Sequence, residues 1–435
     1  MRLLFFTPAL KKSAIGRMAA LVVRELLAQG HDVTVVRSEA KVLQHQDVHD
    51  FDTEIVAWNE LSDHKEIIQT ADHFIYQIGN HFPYHEGCLH WMPLLPGIVS
   101  LHDFFVGHLF YAWAETRRED ADVILKMNYG PDAATNFFSY ATSESFIERT
   151  RDISPMTEWI SSMALGVITH SSWGSDRVQK GCTGPVQIIP LPYDAVNFVE
   201  KTWTPPEQFD DIVLLTIGHI NPNKRVGSVI QAIGSCPVLK ARITYRLVGH
   251  CEPEVVLSLS AMARQMKVRL VICGEVDDKV LANEIMACDI VSCLRWPTLE
   301  AASASAIEAM LYGKAVMCTD AGFYSEIPDD LVMKITANNE IADIVDCLNK
   351  LIAESSLIGL MGKQAKEWAL KTYSARNYAL AIADISSLVA KAEPRFAYKF
   401  FVETMAEFSK TDNNLISEKD LFLLKIFNSD HSVYG

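Results

Sequence analysis

One unit recurs along this chain and limits its folds more than any other feature. A short run of apolar residues ends in a glycine or a histidine, and a stretch with helical spacing follows. Ile212 to Ile217 runs into Gly218 and His219, Tyr245 to Val248 into Gly249 and His250, and Val268 to Cys273 into Gly274. The first half repeats the pattern at His73–Gly79, Gly97–His102 and Gly166–His170, and adds apolar runs at Arg2–Phe6, Val33–Val36 and Val186–Pro190. Apolar runs without alternation are strands buried on both faces, as in parallel sheets, and helices between them make a doubly wound α/β architecture. A first helix is marked by Ile15, Met18, Ala19, Val22 and Leu26 and is stopped by Gly30. At 435 residues the chain exceeds one ordinary core, so two such domains are expected. Thr202 to Asp211, with Pro205 and Pro206, reads as the linker between them.

Chemistry concentrates in Arg295-Trp-Pro-Thr-Leu-Glu300-Ala-Ala-Ser-Ala-Ser-Ala-Ile-Glu308. Pro297 and Thr298 end an apolar strand, which puts Glu300 in a strand-to-helix loop. Ser303 or Ser305 can cap the helix that follows, and Gly313 stops it. Unpaired amides and the dipole at a helix N-terminus favour an anion such as a diphosphate. Small side chains from Ala301 to Ser305 leave that backbone open, and Glu308, a turn inside, can accept hydrogen bonds from ribose hydroxyls. By spacing alone, two glutamates in an alanine-rich helix could equally face water. Upstream, Lys224 and Arg225 stand at another helix start, where basic groups oppose the dipole unless an anion lies beside them.

Taken in order, Gly218 with Lys224, Gly274-Glu-Val276, Glu300 with Glu308, and Lys314-Ala-Val with Gly322 resemble the donor half of glycosyltransferase family 4. That resemblance implies an α/β GT-B fold: two doubly wound Rossmann-like domains facing each other across a cleft, with C-terminal helices crossing back to the N-terminal domain. Residues 1–203 would be the acceptor domain, 204–372 the nucleotide-sugar domain and 373–435 the returning helices. It also implies a retaining, metal-independent enzyme that moves a sugar from a nucleoside diphosphate, UDP or GDP, to a hydroxyl. Lys224 and Arg225 would grip the diphosphate, and Gly16 and Gly218 would admit it to the backbone. Gly274 and Val276 would meet the base, Glu300 and the backbone of Ala301, Ala302 and Ser303 the sugar and phosphate, and Glu308 the ribose. His102, in His102-Asp103, would face the donor sugar as a hydrogen-bonding or polarising group, or else pair with Asp103 to hold a loop. Where relatives have Glu-Gly-Phe-Gly, this chain has Glu300-Ala-Ala-Ser303; losing both glycines restricts φ and alters the loop.

Asn80, His81, His85 and His170 fall in loops suited to the acceptor side. Six histidines between His73 and His108 invite a metal, but Pro83 is expected to break any helix that would align His81 with His85, and no H-E-x-x-H is present. No cofactor beyond the nucleotide-sugar co-substrate is expected. A net charge of −15, with 15 Lys and Arg against 25 Asp and Glu in the first 200 residues, argues against nucleic acid and allows at most peripheral membrane contact. Nine cysteines without a C-x-x-C pair suit a reducing, cytoplasmic setting. Pro8, Lys11 and Lys12 interrupt the apolar start too early for a signal peptide. Acceptors of this family are commonly polysaccharide or lipid-linked precursors; a protein or a small molecule would serve the same chemistry. Three other readings compete. A dinucleotide enzyme lacks its G-x-G-x-x-G here. A GT-B phosphorylase or epimerase shares the fold, and a non-catalytic homologue would bind nucleotide sugar or act as a scaffold.

Overall fold

The structure, a computed structural model, describes residues 1–195 and 211–392. The linker up to residue 210 and the 203/204 boundary lie outside the described residues, as do residues 393–435 of the expected returning helices.

The first apolar runs form one seven-stranded sheet: β1 (Arg2–Thr7), β2 (Asp32–Arg37), β3 (Ile55–Ala57), β4 (His73–Ile78), β5 (Ile98–Leu101), β6 (Gly166–Thr169) and β7 (Val186–Ile188). Its order is β3-β2-β1-β4-β5-β6-β7, and every pairing is parallel. A second parallel sheet holds β8 (Ile212–Ile217), β9 (Ile243–Val248), β10 (Arg269–Gly274), β11 (Ile290–Cys293), β12 (Ala315–Thr319) and β13 (Met333–Ile335), in the order β10-β9-β8-β11-β12-β13. Both sheets reverse direction of growth beside their first strand, at β1/β4 and at β8/β11, and ligands of doubly wound sheets bind outside such switch points. Helices cover both faces, and strand residues such as Leu3, Phe5, Leu214 and Leu215 are fully buried.

The chain then returns to its start. Residues 375–392 are helical, and Tyr378, Ile382, Ile385 and Val389 share a buried cluster with Leu3, Phe5 and Ile98 of the first domain. The crossing-back of the last described helix is thereby observed.

Two local expectations need correction. Pro83 occupies the first turn of Phe82–Trp91, where its missing N–H has no partner to lose, and the interruption expected of it falls at His85 instead, whose φ of −123° and ψ of 15° are non-helical. His81 is the residue before that segment and His85 is its kink, so no continuous helix aligns the two. Four helices between Gly107 and Thr150, which the strand-and-glycine pattern did not announce, pile aromatic rings such as Phe110, Phe137 and Phe146 onto the first domain.

Gly16 lies in the first turn of the Ala14–Ala28 helix, and its amide donates to the Ser13 cap at 3.0 Å. A Cβ there would stand 2.5 Å from the Pro8 carbonyl oxygen. The loop's own packing therefore demands this glycine. Replacing it with alanine should destabilise the protein by about 1–3 kcal/mol through overpacking, read as a lower urea midpoint; an unchanged midpoint would mean that the loop yields freely.

Candidate active site

The loops that follow β5 and β6 meet the loop that follows β11, and main-chain hydrogen bonds join them. Ala301 N donates to His102 O at 2.9 Å, Phe104 N donates to Leu299 O at 2.9 Å, and Asp103 and Glu300 form an antiparallel bridge. Ser171 Oγ donates to Ala301 O at 2.8 Å. Glu326 of the second domain accepts from Ser172 N at 2.7 Å and Trp173 N at 3.1 Å in the first. Between these loops lies a cavity of about 140 Å³, lined among others by Met18, His102, Asp103, Tyr193, Glu300 and Ala302.

Its charges are arranged in layers. Glu300 lies 3.1 Å from Arg295 Nε and accepts from the Tyr324 hydroxyl at 2.9 Å. Burial opposes the charge on Arg295, but Tyr324 and Glu300 hold its pKa above the usual value. Lys224 is buried, and its Nζ donates to the Ile217 carbonyl beside Gly218. Burial, with Arg295 nearby, pushes its ammonium well below the ordinary range. Across the cavity Asp103 accepts from Asn80 N at 2.8 Å, and burial raises it to about 7. His102 therefore does not pair with Asp103. Its Nε2 lies 2.7 Å from Gln77 Oε1, and burial lowers its pKa well below the usual imidazole value.

Glu308 sits inside the Ala304–Leu311 helix, capped by Ser303, whose side chain accepts from Ala306 N at 3.4 Å. Arg17 of the first domain reaches it at 3.0 Å. The same guanidinium holds Asp194 at 2.7 Å and lies 4.5 Å over the Tyr193 ring. Burial raises the Glu308 carboxyl, against the opposing pull of Arg17.

Several expected site residues are placed elsewhere. Arg225, the N-cap of the Val226–Ser235 helix at φ 56°, pairs with both oxygens of Glu340 at 2.8 to 3.1 Å. The anion that its position asks for is thus an internal carboxylate, and the groove around it, about 930 Å³, is lined by second-domain residues alone. His85 is packed beneath the cavity wall, where its Nε2 accepts from Gly79 N at 3.0 Å. His170 is buried too, with Nδ1 3.0 Å from Ile189 O. The Asn80 side chain accepts from Leu109 N at 3.0 Å and meets His108 at 3.1 Å. His81 is exposed, its ring meeting that of Tyr84 edge-on. Gly218 and Gly274 end β8 and β10 at φ 83° and 74°, and no atom lies within 4 Å of a Cβ placed on Gly274. Val276 is partly buried behind it. Among the described residues, no group of three His, Cys, Asp or Glu is placed to hold a metal, and no helix is long and apolar enough to cross a membrane.

Arg17, Arg295 and Gln77 were missed from sequence. The signal for Arg17 and Arg295 was a charged residue next to a loop glycine or at the carboxyl end of an apolar strand; Gln77 carried none.

Residues 200–368 match the family model described as glycosyl transferases group 1. No curated protein matches the chain significantly. Solved structures resemble it over nearly its full length. HepE from Anabaena, in complex with UDP and glucose, is 16% identical with a TM-score of 0.57, covering 89% of this chain and 99% of that one. Sucrose-phosphate synthase from Thermosynechococcus elongatus is 13% identical with a TM-score of 0.62, covering 90% and 100%. WaaG, a glycosyltransferase involved in lipopolysaccharide biosynthesis, is 15% identical with a TM-score of 0.54, covering 90% and 98%. The fold is GT-B: two Rossmann-like domains facing each other across a cleft.

Proposed function

We propose that the chain is a retaining, metal-independent glycosyltransferase of family 4. It would move a sugar from UDP or GDP to a hydroxyl acceptor in polysaccharide or glycoconjugate synthesis, in the cytoplasm. Residues 1–203 serve the acceptor, 204–372 the donor, and 373–435 return to the first domain. The carrying observation is that Lys224, Arg295 and Glu300 lie together at strand ends of the domain that matches the family, with Glu300 lining one cavity with His102 and Glu308 following in the next helix. The UDP and glucose bound by the similar HepE fold support the same ligand class.

On this reading the diphosphate lies at the N-terminus of the Ala304–Leu311 helix and Glu308 takes the ribose. Lys224 and Arg295 oppose the charge that builds on the leaving phosphate as the sugar becomes oxocarbenium-like; interactions stronger in that state than in the ground state are what accelerate transfer. Transfer breaks the sugar–phosphate bond and forms the bond to the acceptor oxygen, and a phosphate oxygen takes the acceptor's proton. Neutral His102 hydrogen-bonds the sugar. A cavity of about 140 Å³ is smaller than a nucleotide sugar needs, so the domains must part for entry and close for chemistry.

The test is nucleoside diphosphate release from a panel of UDP and GDP sugars, with and without EDTA. Release should persist in EDTA, and Glu308→Ala should weaken nucleotide binding by about 10-fold or more through the lost charged hydrogen bonds. Release abolished by EDTA and restored by a divalent ion would overturn the metal-independent mechanism. A second reading, a nucleotide-sugar-binding protein without turnover, is favoured by the small cavity and by Arg17 on Glu308; binding of UDP or GDP with no release from any donor would establish it.

A further inference from the structure

We propose that Gln77 is a positioning residue that fixes the tautomer of His102, so that His102 presents Nδ1 to the interdomain cavity as a hydrogen-bond acceptor. This deepens the transferase reading above and rests on it for its catalytic consequence, though not for its geometry.

The argument follows the protons. Gln77 Oε1 has only lone pairs, so at 2.7 Å the hydrogen between it and His102 Nε2 belongs to the imidazole. A neutral ring that donates from Nε2 must accept at Nδ1, and that nitrogen has no hydrogen-bond partner among the described residues. His102 lines the cavity. Its ring is also held from behind, 4.8 Å from that of His170. His170 faces the Ile189 carbonyl through Nδ1, which must therefore carry its hydrogen, leaving Nε2 to accept from Ser100 Oγ at 3.4 Å. Ser100 having spent its proton on His170, the Tyr378 hydroxyl donates to Ser100 Oγ at 2.8 Å. Every donor in this chain has one direction, and it starts on the helix that returns from the second domain. Burial keeps both rings neutral, His170 falling to about 4.

Gln77 is itself fully buried on β4, and its Nε2 has no partner. A buried amide donor left unpaired is destabilising, which a residue serving only to fill the core would avoid. Set against a ring whose other nitrogen faces a ligand cavity, an amide that accepts without ionising holds the imidazole neutral, where a carboxylate would draw it towards imidazolium. The nitrogen so presented suits a sugar hydroxyl and repels a sugar carboxylate.

The decisive measurement is long-range ¹H–¹⁵N NMR of histidine-labelled full-length protein without ligand, with the His102 signals identified by their loss in His102→Gln. Expected is the Nε2–H tautomer, with an unprotonated Nδ1 shift. An Nδ1–H tautomer or an imidazolium at neutral pH overturns the proposal whether or not the protein transfers sugar. In Gln77→Met the tautomer preference should collapse. Transfer should slow on the order of 10- to 100-fold in kcat with donor KM little changed. Gln77→Glu should restore the Nε2–H bond and drive His102 towards imidazolium. Full kcat in Gln77→Met with the wild-type tautomer intact would also overturn the assignment. If no donor is turned over, the transferase reading fails while the spectrum still decides the tautomer.

Discussion

Lys224→Ala is expected to lower turnover of the donor by about 100-fold or more, the scale on which a single preorganised charge at a leaving group acts. The size follows from burial. An exposed lysine would bring solvent-screened charge, whereas Lys224 waits beside Arg295 in a site that already depresses its ammonium. A diphosphate placed there supplies the missing counter-charge and raises the pKa again, so nucleotide binding should take up a proton. Calorimetry in alkaline buffers of different ionisation enthalpy reads this directly; a binding enthalpy independent of buffer would show that Lys224 does not change protonation. Arg225→Ala is the contrast. Because its guanidinium is engaged by Glu340, whereas Lys224 lies among Arg295 and Glu300, kcat should stay within about 3-fold of wild type, the cost falling instead on the ion pair. Equal losses in the two variants would return Arg225 to the diphosphate and contradict the placement described above.

The second large effect is on stability. Arg17→Ala removes the cation that faces Glu308 and Asp194 and should cost about 2–3 kcal/mol at neutral pH, since a buried carboxylate left without its partner is strongly unfavourable. The pH dependence has a definite sign. Burial already raises the Glu308 carboxyl against the opposing Arg17, and without Arg17 it rises further. A carboxyl whose folded pKa exceeds its unfolded one binds more protons in the native state between those two values, so stability falls as pH rises through that window. The gap between wild type and variant should therefore widen from mild acid towards neutrality, and thermal melts across that range check it. A constant gap would mean that Glu308 is not the group left exposed to the loss.

How much of this was visible in sequence depended on range. The strands were legible because a parallel sheet covered on both faces leaves no polar alternation, and runs such as Ile212–Ile217 can do little else. The donor helix was legible for a local reason: Ser303, the small residues after it and Glu308 lie within one turn-and-helix segment. Contacts between segments far apart in the chain were not. Arg17 meets Glu308 across 291 positions and Arg225 meets Glu340 across 115. A basic residue at a helix start reads the same whether its anion is a ligand or a glutamate of another helix. The histidines illustrate the converse, since loop position suggested an acceptor surface for His85 and His170 whereas side-chain bonding put both beneath it. Pro83 foretold an interrupted helix but not its place: a proline is tolerated in the first turn, and the break falls two residues on, at His85.

The bridge between Asp103 and Glu300 has an evolutionary consequence. Main-chain hydrogen bonds do not read side chains, so the two halves can find the same closed alignment whatever residues the loop carries. The side chains of the Glu300-Ala-Ala-Ser303 stretch can then vary without loss of the main-chain register that joins the halves. On the transferase reading, sugar selectivity would thus vary independently of the alignment of the two halves.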